Sequence, residues 1–180
     1  SSSAIGDSKT GLRLFQSPFP FELGTQSQPG GRYRQNAAMV AKPMRIGITG
    51  ASGFIGSHLL RAFERLPGLT ITTLSKKHKR KALKSFVKDL DLIYHLVGVN
   101  RGTGEEILRV NILETFNLVE TVKNYSSARL VFSSSPQVYK LGKSKAPIRE
   151  THATEPDSLY GLSKKAAEDL IRLSGIDYIV

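Results

Sequence analysis

From Met44 onward the chain alternates short runs of β-branched residues with longer stretches of helical spacing. Arg45–Thr49 is β-branched and reads as a first strand. Phe54–Leu66 places apolar residues at Ile55, Leu59, Ala62, Phe63 and Leu66, the one-sided stripe of an amphipathic helix. Pro67-Gly68 stops it. Leu69–Leu74 alternates and forms a second strand, and Lys76–Leu90 is a basic helical segment. Leu92–Val97 reads as a fully buried third strand. Glu105–Asn124 is a helix that turns Ile107, Val110, Phe116, Val119 and Val122 inward, and Arg129–Ser134 is a fourth strand. Ser158–Ser174 is a further helix, closed by Gly175 as a left-handed cap. Tyr178–Val180 opens another strand. Strands alternating with helices predict the α/β class, with a doubly wound parallel sheet covered on both faces. Ligands then lie at the C-terminal strand ends.

Residues 1–43 lack this periodicity. They are rich in Ser, Gly, Pro and Gln, and the expectation is a disordered leader or extension. Three origins fit: an acid-poor organelle transit peptide, an expression extension, or upstream sequence ahead of a start at Met44. The transit peptide fits least well, because no sustained amphipathic Arg-rich helix is present.

Composition narrows the picture. The 180 residues suit one domain, and a hydrophobic content of 39% supports a core. No apolar run reaches the roughly 18–20 residues of a membrane helix, so no membrane partner is expected. There are no cysteines, which excludes disulfides and zinc–thiolate sites and suits a reducing, cytoplasmic setting. The net charge of +11 attracts anions, but nucleic acid, anionic lipid and nucleotides share that property.

Chemistry enters at Thr49-Gly50-Ala51-Ser52-Gly53-Phe54-Ile55-Gly56, between the first strand and the first helix. A pyrophosphate must come close to the free amides and positive dipole end of a helix, and side chains would block it. Gly50 is expected to permit the sharp turn, Gly53 the close approach, and Gly56 the packing of helix on strand. Gly50, Ser52, Gly53, Phe54, Ile55 and Gly56 are therefore candidate cofactor contacts. The domain 44–180 reads as a Rossmann-like NAD(P)-binding domain. Farther on, Tyr160-Gly161-Leu162-Ser163-Lys164 is a Tyr-x-x-x-Lys pair. On a helix the two side chains share a face. A free tyrosine ionises only near pH ~10, and a neighbouring ammonium favours the phenolate that acts as a base.

These motifs, in this order, resemble the extended short-chain dehydrogenase/reductases, the NAD-dependent epimerase/dehydratase group that acts on nucleotide sugars. The resemblance covers residues 44–180. It implies that Tyr160 exchanges a proton with a sugar hydroxyl and that Lys164 also holds the nicotinamide ribose. Ser133-Ser134-Ser135-Pro136-Gln137-Val138-Tyr139 resembles the family's Ser-Ser-Ser-x-x-Val-Tyr segment. That implies a substrate contact at Ser135 and a cofactor contact at Ser133. Pro136 and Gln137 stand where dehydratases carry an acid pair, which disfavours dehydration. His95-Leu96-Val97-Gly98 resembles the strand end that passes along the cofactor, so Leu96, Val97 and Gly98 are candidate contacts. His95 is read as a satisfied core histidine. Asn111 matches a family asparagine that positions cofactor and helix.

Departures from the pattern sharpen the expectations. The second strand runs into Leu74-Ser75-Lys76-Lys77, without the acid that NAD-preferring members use on the ribose. Ser75 and Lys76 suit a 2′-phosphate, so NADP is favoured over NAD. The connection from Leu74 to Asp91 is short, and His95–Arg101 reads His-Leu-Val-Gly-Val-Asn-Arg. Both features resemble reductases of 2-acetamido-2,6-dideoxyhexose synthesis. The first reading is thus a nucleotide-sugar epimerase, with an NADPH-dependent reductase as the alternative. A non-catalytic NADP-binding module is a third, disfavoured because a sensor needs no Ser135, Tyr160 and Lys164 set. The Lys76–Lys81 run lacks interleaved aromatics, so nucleic acid is not the expected partner. No metal is expected. The resemblance also implies a homodimer in the full-length form, with the C-terminal substrate part missing from this chain and little turnover without it.

Overall fold

The computed structural model describes residues 42–74, 80–140 and 147–180. All belong to one compact unit, Val40–Val180, of the two into which the chain divides. Five parallel strands form the sheet: β1 (Met44–Thr49), β2 (Leu69–Leu74), β3 (Leu92–His95), β4 (Arg129–Phe132) and β5 (Tyr178–Ile179). Their order is β2-β1-β3-β4-β5. Among the described residues α2 (Arg80–Val87) is the element between β2 and β3, and β2 is an edge strand of the described sheet. The order reverses beside β1, which puts a ligand crevice at the C-terminal ends of β1 and β3.

The two faces of the sheet are covered unequally. Gly47, Ile93 and Leu130 occupy one register row, and Thr49, His95 and Phe132 the next. Both rows face α2, α4 (Glu114–Tyr125) and α5 (Leu159–Ser174), where Phe86, Val87, Leu118, Val122 and Ile171 complete the main core. The alternate row, Ile48, Tyr94, Val131 and Ile179, faces the side of α1 (Phe54–Phe63), whose Phe63 ring meets Tyr94 at 5.5 Å. Ile179 is exposed there.

Several sequence expectations need correction. β3 is regular only to His95 and alternates in burial, because Tyr94 faces the thinly covered side. Helix α1 stops at Phe63, since the amides of Arg65 and Leu66 bond back only three residues, to Ala62 and Phe63. Leu66 is consequently exposed, and Ile55, in the first turn of α1, is exposed as well. The Glu105–Asn124 helix is interrupted. α3 (Gly104–Leu108) passes through a π turn (Arg109–Leu113) into α4. The extra residue of that turn rotates α4 relative to α3. Its inward stripe runs through Thr115, Leu118, Val119 and Val122, and Phe116 stays 39% exposed.

Candidate active site

The glycine loop is shaped by contacts of backbone with backbone. Gly50 has φ +75, and a Cβ there would lie 2.9 Å from the Leu96 carbonyl carbon and the Val97 nitrogen. The loop therefore lies directly against the end of β3. Gly56 is buried; a Cβ on it would come within 2.2 Å of the Gly50 carbonyl oxygen and 2.8 Å of Ala51 Cα. Gly56 thus seats the helix on its own loop, not on the strand as the spacing predicted. Gly53 caps α1 without a side-chain hydrogen bond, and no acidic residue sits in the first turn. The early amides of α1 have no partner within the helix, and no acidic residue of its first turn competes for them. Phe54 (82% exposed) and Ile55 (59% exposed) flank this end, and Ser52 is exposed beside it. The arrangement fits a pyrophosphate-bearing cofactor: a donor-rich helix end, shaped by Gly50 and Gly56 packed on backbone, with the exposed Gly53 leaving its approach free of a side chain.

Behind the loop lies a buried polar cluster. Thr115 donates its hydroxyl proton to the Asn111 carbonyl at 2.8 Å. Its oxygen is then left to accept from His95 Nε2 at 2.9 Å. His95 Nδ1 must accept, and the Thr49 hydroxyl donates to it at 2.6 Å. Both ring nitrogens are satisfied in the neutral form. Burial and then the Lys164 charge hold its pKa down to about 3. Asn111, in the π turn, accepts from the Val99 amide at 2.8 Å and donates to the Val99 carbonyl and to Ser163 Oγ, each at 2.9 Å. It fastens the Leu96–Gly98 stretch to α5. Its side chain is committed to that bracing.

The helix α5 carries the pair found in the sequence. Ser158 caps it, accepting from the Gly161 amide at 3.0 Å and donating to Gln137 Oε1 at 3.0 Å. A Cβ on Gly161 would approach the Gln137 carbonyl to 2.2 Å. Gly161 therefore seats the start of α5, with Tyr160, against the short 3-10 turn Pro136–Val138 that Ser135 caps. One turn on, Lys164 is 3% exposed, with Nζ 4.1 Å from the centroid of the Phe132 ring. Burial lowers its pKa to about 8, against an opposing pull from Glu168. A Cβ built on Gly98 would sit 3.8 Å from this ammonium. Ser133 is tied to the same wall, its amide donating to the His95 carbonyl at 3.3 Å.

Tyr160, Lys164, Ser133, Ser135, Leu96, Val97 and Gly98 thus belong to segments joined at the C-terminal edge of the sheet, beside the loop. Ser75 and Lys76 lie outside the described residues. Sequence reasoning missed Thr49, Thr115, Ser163, Gly161 and Glu168. The first three are ordinary hydroxyl residues until long-range contacts pair them. Glu168 carried one signal, its spacing four residues after Lys164. Among the described residues no group of three or more His, Asp or Glu side chains is placed to hold a metal ion, and no helix is long and apolar enough to cross a membrane.

A family model described as the NAD dependent epimerase/dehydratase family matches residues 46–179. UDP-2-acetamido-2,6-beta-L-arabino-hexul-4-ose reductase of Pseudomonas aeruginosa is 30% identical over 136 residues, covering 74% of this chain and 32% of its own. A putative UDP-glucose 4-epimerase of Methanocaldococcus jannaschii is 29% identical over 161 residues, covering 74% of this chain and 53% of its own. Among solved structures, RMD from Pseudomonas aeruginosa complexed with NADPH superposes with a TM-score of 0.60 at 28% identity, covering 71% of this chain and 46% of that one. The chain spans from about a third to about half the length of these curated relatives.

Proposed function

The chain belongs to the NAD-dependent epimerase/dehydratase family, and from that premise we propose that it is the NAD(P)-holding part of a nucleotide-sugar epimerase, with residues 44–180 as the cofactor domain. The reading is carried by one observation: a buried Lys164 one turn after Tyr160, on a helix seated against the turn that bears Ser135. A bound nicotinamide cofactor supplies hydride acceptance and return at a sugar carbon. The chain supplies the rest. Tyr160 takes the proton of the sugar hydroxyl and gives it back, and Ser135 holds the substrate oxygen beside it. Lys164, with its pKa near 8, is mainly an ammonium at neutral pH and stands one helical turn from Tyr160, where it would hold the nicotinamide ribose. The amides of Gly53–Gly56 receive the pyrophosphate, and Leu96–Gly98 form the wall along it.

A second reading, an NADPH-dependent nucleotide-sugar reductase, is favoured by two specific observations. These are the passage from β2 to β3 with α2 as the element described between them and the likeness to the Pseudomonas reductase. Nicotinamide absorbance separates the two readings. An epimerase interconverts UDP- or GDP-hexoses with no net change at the reduced-cofactor band, whereas a reductase consumes NADPH mole for mole. Wild-type turnover by Tyr160→Phe would sink both. Preference for NADP over NAD is inferred from the residue types Ser75, Lys76 and Lys77 alone; tighter binding of NAD would overturn it.

The homodimer is part of the same proposal. Leu108, Ile112, Leu113, Phe116 and Leu170 help line an apolar groove of about 580 Å³ between α3–α4 and α5. Its proposed occupant is the same face of a second copy, a self-complementary contact. Sedimentation of Phe116→Asp beside the wild type tests this: wild-type dimer and variant monomer are expected, and a wild-type monomer would contradict it.

A further inference from the structure

Glu168 has no part in the chemistry above, yet it stands at the junction of two segments that carry it. It follows Lys164 by one turn of α5 and is half-buried. Its Oε1 accepts the hydroxyl proton of Ser134, the residue beside Ser135. Together with Ser134 and Ser135 it lines a cavity of about 320 Å³ at the end of β4. The surroundings of Lys164 are otherwise poor in compensation. Phe132 offers only a ring face, and His95 on β3 is neutral. Tyr160, one turn earlier on α5, carries no charge while it holds its proton. A buried ammonium with no negative charge to answer it is costly.

We propose that Glu168 is a positioning residue of this site: its carboxylate, aimed by Ser134, keeps the buried Lys164 charged and locks the Ser133–Ser135 segment to α5. The carboxylate acts through Lys164 and through the serine segment, without touching the reacting atoms. The direction of its effect on Lys164 agrees, since Glu168 is the group that raises the ammonium's pKa against burial. The role of the lysine rests on the epimerase or reductase reading, but its charge is measurable without cofactor or substrate.

The test is NMR titration of the Lys164 side chain in the full 180-residue chain, with Glu168→Gln, Glu168→Asp and Lys164→Met variants. Glu168→Gln is expected to lower the Lys164 pKa by about one unit, and Glu168→Asp, which keeps the charge, to recover at least half of that. An unchanged Lys164 pKa in Glu168→Gln would overturn the proposal whatever the chain's activity. If Glu168→Gln does not fold, Lys164→Met/Glu168→Gln decides. Folding of the double variant supports charge compensation, and its equal failure makes Glu168 a structural strut only. Loss of turnover in Tyr160→Phe, measured separately, bears on the functional reading and not on this one.

Discussion

The two halves of the site are built from different materials. The glycine loop holds its shape through backbone approaches, at Gly50 against Leu96–Val97 and at Gly56 against Gly50. No charged side chain of the described residues caps it. The α5 side holds its shape through buried polar side chains: His95, Asn111, Ser163 and Lys164 are each nearly inaccessible. The first half is defined by what is absent and tolerates almost no added atoms. The second is defined by what each polar group is paired with, and it should answer to pH and to loss of a partner. A dinucleotide needs both, since one end of it is an anion to be received and the other a reactive ring to be held in place.

Breaking the loop should give the largest effect. Gly56→Ala adds a Cβ 2.2 Å from the Gly50 oxygen. It is expected to cost about 3 kcal/mol or more, by overpacking against backbone that cannot yield, and to weaken NADP binding more than tenfold. Thermal unfolding and cofactor titration read the two effects separately. Next comes Asn111→Ala, which strips partners from both polar groups of Val99 and from Ser163. An expected loss of about 2–3 kcal/mol follows from buried backbone groups left unsatisfied, measurable by urea unfolding.

The two halves also differ in how legible they were in the sequence. The loop was readable because its determinants are adjacent: strand, glycines and helix succeed one another between Met44 and Phe63. Only the role of Gly56 was misplaced, since its contact is with the loop. The strand and helix order was legible for the same reason, being local periodicity. The π turn at Arg109–Leu113 was not, because a single extra residue leaves no mark in apolar spacing. The partners of the α5 cluster were not legible either. Thr49 and His95, or Asn111 and Ser163, meet across 46 and 52 residues, and nothing local to each predicts the other. The Tyr160–Lys164 pair was found because its members are one helical turn apart.

Acid separates the two halves at a smaller scale. His95 has a folded pKa near 3 against an ordinary 6.5, so below 6.5 the unfolded chain binds more protons than the folded one. Its stabilising contribution is whole above pH 6.5 and shrinks as the pH falls toward 3. At pH 5 the loss is about 2 kcal/mol. Chemical unfolding at pH 7 and pH 5 should show it in the wild type and not in His95→Asn; equal slopes in the two would remove His95 from the account. The glycine loop has no titrating side chain and should contribute nothing to this slope.

The smallest effect is a gain of stability on substitution, although its pH linkage runs in the same direction as that of His95. Lys164 has a folded pKa near 8 against 10.5. The unfolded chain therefore binds more protons between these values, and burial of the ammonium weakens folding progressively as the pH falls from 10.5 to 8, the full penalty being present below 8. Lys164→Met should gain about 1–2 kcal/mol at pH 7, seen as a higher unfolding midpoint, while turnover is lost. Unchanged or lower stability would mean that the ammonium is better compensated than burial alone implies.

The Thr49–Gly56 loop is proposed to receive the pyrophosphate of a nicotinamide cofactor. Fluorescence titration of NADPH into the wild-type chain and into a folded Gly53→Val variant tests it most directly. Gly53 is exposed and its Cβ would meet only the Gly50 oxygen, at 3.3 Å, so the variant should fold and yet block the approach of a phosphate. Saturable binding by the wild type, weakened at least tenfold in the variant, is the expected result. Equal binding by both, or none by the wild type, would contradict the account.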